Sequence, residues 1–306
     1  MEGVNTPTPA SDQPRTAIVT GANSGVGLYT ATKLAEQGYR VVLAVRNAER
    51  GRVAQERILD AAPNAAVETV HLDLASLRSI KECAAELVAT YQGWDVLVND
   101  AAAKLVPERL LTEDGFEWNL GVNFLGHFAL TGLLLTGAMP TSRVVNVTSL
   151  SARNAKIRFH DLRWDNKYRP GKAYAMSKFA QLVFSRELDR RCKDDALPGY
   201  PHGLRSVAAH PGRGMPPAGA HRFGRALPRY DGPDAVVYAA TSDDLIGGEL
   251  VGPSGRGQLQ GASGVGAPPA IPDEVITALR LWRFAPQLPR VPWLAPQPWA
   301  GGLPCR

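Results

Sequence analysis

The chain has 306 residues, 44% hydrophobic and 21% charged, with a formal net charge of +5; that is enough to fill the core of one large α/β domain. The basic excess is unevenly spread, and no Lys/Arg cluster is interleaved with aromatics, which argues against nucleic-acid binding. Cys83, Cys192 and Cys305 are too few and scattered for a disulfide framework and fit a reducing, cytoplasmic setting, while the six histidines show no metal-ligand spacing, so no metal is expected.

Residues 1–14 are polar, carry Pro7, Pro9 and Pro14, and lack the basic start and apolar core of a signal peptide; a disordered leader is expected there. Next, Ala17-Ile18-Val19 predicts a strand and the later spacing a helix over 28–37. Between them lies the glycine turn Thr20-Gly21-Ala22-Asn23-Ser24-Gly25-Val26-Gly27. Such a turn sets backbone N–H groups and a helix N-terminus where a pyrophosphate can sit. Gly21 permits the tight turn, Gly25 a close approach of phosphate, and Gly27 the packing of helix on strand.

A buried strand is predicted over 40–45, with Arg46 directly after it. An acidic residue at that point binds the ribose of NAD, whereas an arginine accommodates the 2′-phosphate of NADP. Arg50, one helical turn on, supports the same choice. A helix over 49–61 and a strand over 67–72 lead to Asp73-Leu74. The Asp73 carboxylate suits either an adenine amino group or the N-cap of the next helix, 77–90. A fourth strand over 94–99 ends at Asn99. This alternation predicts an α/β fold, a single doubly wound parallel sheet of Rossmann type with ligands at the carboxyl ends of its strands.

The stretch 118–142 carries no charge and has the length of a membrane span, but Asn123, His127, its glycines and its threonines favour a helix buried in the domain. A fifth strand is predicted over 143–149, with Ser149 at its carboxyl end. A helix opening at Tyr174 and reaching about 191 places Tyr174 and Lys178 on one face. Strands over 204–209 and 248–251 and a helix over 233–241 follow. The domain is expected to span 15–270, leaving 271–306 as a helix remnant and a Pro/Trp-rich tail. Pro286, Pro289, Pro292, Pro296, Pro298 and Pro304 preclude helix in that tail.

In chain order, Thr20-Gly21-x-x-x-Gly25-x-Gly27, Asp73-Leu74, Asn99-Asp100-Ala101-Ala102, Asn123, Ser149, Tyr174-x-x-x-Lys178 and Pro211-Gly212 resemble the short-chain dehydrogenase/reductase family. The run Asn123-Phe124-Leu125-Gly126-His127-Phe128-Ala129-Leu130-Thr131 resembles the branch holding retinol dehydrogenases and protochlorophyllide reductases, as does the long insert between Ser149 and Tyr174. The resemblance implies an oxidoreductase that takes NADP(H) in preference to NAD(H) and interconverts a hydrophobic carbonyl and its alcohol. It implies cofactor contacts from the first turn (Gly21, Asn23, Ser24, Gly25, Val26, Gly27) and from Arg46. Further contacts are implied at Asp73, Leu74, Asn99 and Ala101, and then at Tyr174, Lys178, Pro211 and Gly212.

Hydride transfer to a carbonyl leaves an alkoxide that needs a proton, and a phenol with a pKa near ~10 needs tuning for that work at neutral pH. Lys178, one turn from Tyr174, is expected to stabilise the phenolate and to bond the nicotinamide ribose. Ser149 is expected to donate to the substrate oxygen. The resemblance gives Asn123 a part in a water-linked proton relay. Two other readings share the fold: a dinucleotide-binding regulatory or scaffold protein with impaired catalysis, and a redox-neutral enzyme using the same tyrosine.

Departures from the family pattern are visible. The usual Asn-Asn-Ala-Gly is Asn99-Asp100-Ala101-Ala102, which adds a carboxyl and a methyl near the cofactor. Pro211-Gly212 is followed by Arg213-Gly214-Met215 in place of a valine and a carboxamide-binding threonine, and the segment up to Tyr230 is short and basic, with Arg213, His221, Arg222, Arg225 and Arg229. Phe124, Phe128, Leu133, Val183 and Phe184 suit either a homodimer interface or the core of one chain.

Overall fold

A computed structural model describes residues 14–194, 201, 203–212, 232–259, 261–269, 271 and 273–284. The expected leader, the basic segment with Met215 and the proline-rich tail therefore lie outside the described residues, apart from Pro14 and the end of the last helix.

Four strands with crossover helices come first: β1 (Thr16–Thr20), α1 (Gly25–Glu36), β2 (Arg40–Val45), α2 (Ala48–Ala61), β3 (Val67–His71), α3 (Leu77–Thr90) and β4 (Trp94–Asn99). β1 is buried along its whole length and β2 at every residue after Arg40, as expected of strands covered on both faces. α2 and α3 start where a side chain serves their free N–H groups: Asn47 accepts from Arg50 N and Ser76 from Ser79 N. Asp73 is thus not the cap of α3; its Oδ1 accepts from Ala75 N at 2.9 Å.

The uncharged stretch is not one helix. It comprises a π-helical turn, Leu120–Leu125, then α4 (Gly126–Leu134) and a 3-10 turn, Leu135–Gly137, before β5 (Ala138–Val147) begins. Buried Glu117 starts it, accepting from Asn119 N at 3.0 Å and Leu120 N at 2.8 Å. Leu120–Gly137 is long and apolar enough to cross a membrane, yet 78% of it is buried in this fold.

The remaining elements are α5 (Pro170–Lys193), β6 (Arg205–Ala209), α6 (Gly232–Thr241), β7 (Leu250–Pro253), β8 (Ser263–Gly266) and α7 (Glu274–Phe284). The sheet order is β3-β2-β1-β4-β5-β6-β7-β8. All neighbouring pairs up to β7 are parallel, whereas β8 runs antiparallel to β7, an edge strand that the sequence does not announce. One core cluster joins α1, α2 and α6 to the sheet, and the other joins α3, α4, α5 and α7. The strand order reverses between β1 and β4, the switch point at which such sheets bind ligands.

α7 lies against α5. Its Trp282 ring meets Phe128 at 5.3 Å and Phe184 at 6.1 Å between centroids, and the Arg191 guanidinium lies 4.2 Å from the Trp282 ring centre. Phe124, Phe128, Val183 and Phe184 are buried in the core of one chain, and Leu133 packs half-buried against it. Trp282→Ala is expected to lower stability by about 2–3 kcal/mol, through lost packing and a lost cation–π contact. A melting temperature within about 1 °C of the parent would show that α7 contributes little.

Candidate functional site

A cleft of ≈ 650 Å³ opens at the carboxyl ends of β1, β2, β4 and β5. The β1–α1 turn forms one wall with Gly21, Asn23, Ser24, Gly25 and Val26. Gly21 has φ +67°, and a Cβ on it would fall 2.7 Å from Ala101 Cα, so only glycine lets the two loops meet. Gly25 has φ +58°, and a Cβ there would meet nothing within 4 Å, leaving open space for a ligand. Unlike α2 and α3, α1 has no side-chain cap, since Ser24 makes no capping bond. Its first amides border the cleft as donors that suit an anion. Arg46 and Arg50 stand exposed at the end of β2, and Asp73 and Leu74 follow after β3. Pro211 and Gly212 line the cleft beyond β6. These residues fit a dinucleotide: donors for a diphosphate, cations beyond β2 and an acceptor after β3.

Ser149, Tyr174 and Lys178 share the same cleft. α5 opens with Pro170 at its first turn, which suits a residue lacking an N–H, and so carries Tyr174 and Lys178 on an established helix. Lys178 is 2% exposed, and its Nζ donates to Val147 O and to Gln181 Oε1, both at 2.7 Å. Burial pulls its pKa down, opposed by Asp100. The Tyr174 phenol is raised above its ordinary value by burial; the neighbouring Ser149 hydroxyl lowers it and Asp100 raises it further. The expected acidification by Lys178 is therefore not seen in the protein alone. Burial raises the phenol, and the Lys178 ammonium is bonded toward the sheet, to Val147 O and Gln181 Oε1.

Gly27, Asn99 and Asn123 lie behind the lining. A Cβ on Gly27 would fall 2.7 Å from both Gly21 O and Asp100 Oδ2, so its smallness serves the turn and the segment after β4 rather than a contact with the strand. Asn99 is fully buried and donates to Thr131 Oγ1 at 3.1 Å and Asn146 Oδ1 at 3.0 Å. Asn123 grips Ala103, accepting from its N at 2.8 Å and donating to its O at 3.1 Å, and donates to Ser177 Oγ at 2.9 Å. The Asn123 carbonyl is itself 2.9 Å from His127 Nδ1. A carbonyl only accepts, so Nδ1 carries the hydrogen and Nε2, 2.9 Å from Thr20 Oγ1, accepts. Burial pulls His127 down to about 3, which keeps it neutral. Thr20 Oγ1 in turn accepts from Asp100 N at 3.0 Å and Ala101 N at 3.1 Å. The departure at Ala102 carries no strain, because it is not among the described residues with positive φ.

The sequence did not single out Asn47, Ala103, Lys104, Trp118, Val122 or Thr148, which also line the cleft. Asn47 adjoins Arg46, and Trp118 and Val122 lie in the run leading to Asn123. Proximity to a motif was the available signal.

A family model described as short chain dehydrogenase matches residues 15–197. Human retinol dehydrogenase 13 is 41% identical over 218 residues, 70% of this chain and 63% of that protein. The chain thus spans less than two thirds of that relative's length. A crystal structure of an uncharacterized protein from Mycobacterium Paratuberculosis is 37% identical, covering 91% of this chain and 96% of that one, with a TM-score of 0.72. A crystal structure of an actinorhodin polyketide ketoreductase variant with NADPH is 25% identical, covering 65% of this chain and 70% of that one, with a TM-score of 0.50.

Proposed function

The chain belongs to the short-chain dehydrogenase family, and on that premise we propose that it is an NADP(H)-dependent oxidoreductase interconverting a hydrophobic carbonyl and its alcohol, with Tyr174 as acid and base. The observation that carries this reading is the convergence of Ser149, Tyr174 and Lys178 on one cleft with the uncapped start of α1. When bound, the dinucleotide supplies or accepts the hydride. The chain's residues do the rest. Ser149 positions the substrate oxygen beside the phenol, Tyr174 gives or takes its proton, and the segment fixed by Asn123 and Thr20 closes the wall opposite. Ala102, Ala103, Trp118 and Val122 give that wall an apolar part suited to a hydrophobic substrate. Retinol, for which the curated relative is named, is such an alcohol.

The preference for NADP(H) rests on Arg46 and is supported by the NADPH in the ketoreductase structure. Arg46→Ala is expected to weaken NADPH about 10- to 100-fold, the loss of a charge-assisted contact to the 2′-phosphate, and to leave NADH affinity within about threefold. Equal weakening of both cofactors would reject the assignment. A cytoplasmic setting is proposed on Cys83 and Cys192, which are free and buried, their thiols pushed up to about 12 by burial.

NADPH fluorescence titration, followed by assay against a panel of ketones and aldehydes, tests the whole reading. Binding with no turnover of any carbonyl would instead favour a regulatory dinucleotide-binding protein.

A further inference from the structure

The start of α1 is the place for an anionic group, yet a carboxyl already stands there. Asp100 lines the cleft with Lys178, and its carboxyl stands beside Gly27 in the first turn of α1. The approach is close, since a Cβ on Gly27 would fall 2.7 Å from Asp100 Oδ2. Thr20 Oγ1 holds its main-chain N–H at 3.0 Å, fixing the base of the side chain. Asp100 therefore brings a carboxyl, from another loop, beside the start of α1 where Ser24 makes no capping bond.

The charged groups acting on it come from two elements, Lys178 on α5 and Lys104 on the segment after β4. Tyr174, also on α5, is the further titratable neighbour, and the β1–α1 turn contributes only N–H dipoles and uncharged side chains. Burial raises the carboxyl, against the pull of both lysines. An anionic diphosphate at the start of α1 adds a second negative charge beside a partly buried first one, a placement that favours protonation. Resting on the reading that the cleft takes a dinucleotide, we propose that Asp100 makes cofactor binding proton-linked: as the diphosphate docks, one proton passes from solvent onto the Asp100–Lys178 pair. The proton ends on an Asp100 oxygen, and no other bond changes. The usual asparagine of the family has no such proton to take up.

The test is calorimetric titration of the full chain with NADPH in HEPES and in Tris, buffers whose ionisation heats differ. NADH is run in parallel because it lacks the 2′-phosphate, which titrates near ~6 on its own. Uptake of up to about one proton per cofactor is expected, with affinity weakening by up to about tenfold per pH unit on the alkaline side. Asp100→Asn is expected to lose most of that uptake and to bind at least ~tenfold tighter than the parent near pH ~8. Buffer-independent heats in the parent overturn the proposal without any variant, and so does a variant that keeps the parent's uptake. Failure of the cofactor reading is distinct: neither protein then binds NADPH or NADH, and the proposal falls with it.

Discussion

Tyr174→Phe is expected to lower kcat for carbonyl reduction by about 10²–10⁴-fold while leaving NADPH affinity within about threefold. The phenol shares the cleft with Ser149, and burial holds it above its ordinary value, so it carries a proton at neutral pH. Phenylalanine removes one oxygen and keeps the ring in its place on α5, so the proton donor is lost while the packing stays. Lys178 keeps both of its partners, Val147 O and Gln181 Oε1, so the helix beneath is undisturbed. Steady-state rates and a fluorescence titration on the same preparation separate chemistry from binding. A variant retaining more than about a tenth of the parent's kcat would remove Tyr174 from the proton transfer and favour water or another donor.

The frame of the fold was legible because it rests on local pattern. β2, α3 and β4 match the sequence expectation residue for residue, being continuous or periodic apolar runs bounded by clear turns. The misses have physical causes. α1 starts at Gly25, three residues before the apolar spacing begins, because its first turn is made of weak helix formers. α5 starts at Pro170, where proline is favoured only at the first turn. β8 is Ser-Gly-Val-Gly, with a single apolar side chain, and exists only by pairing with β7. β5 begins at Ala138, five residues early, through a separate pairing of Ala138 with Trp94. In the site, motifs gave the lining. The ties behind it join distant residues: His127 to Thr20, Asn123 to Ala103, Asp100 to Thr20. No spacing rule reports such contacts, and for that reason Asp100 read as a mere departure while Asn99 read as a ligand contact.

The phenol's raised pKa sets the second large effect, an asymmetry between the two directions of reaction. On the proposed reaction, carbonyl reduction needs Tyr174 protonated, and a phenol raised above its ordinary value stays so across the working range. Alcohol oxidation needs the phenolate, whose fraction grows about tenfold per pH unit below that value. With saturating cofactor, kcat/KM for oxidation is therefore expected to climb about 100-fold from pH ~7 to ~9 without levelling, while kcat/KM for reduction changes less than about threefold. Lys178 works in the same sense: burial lowers its own pKa, so its charge fades as the medium turns alkaline and does not hold the phenolate down. Saturation keeps any proton uptake at Asp100 out of the profile. A plateau in the oxidation rate near neutrality would mean that the bound dinucleotide brings Lys178 to bear on the phenol, restoring the acidification that their four-residue spacing suggests. Lys178→Met decides between the two cases, since only in the second does it move the plateau to higher pH.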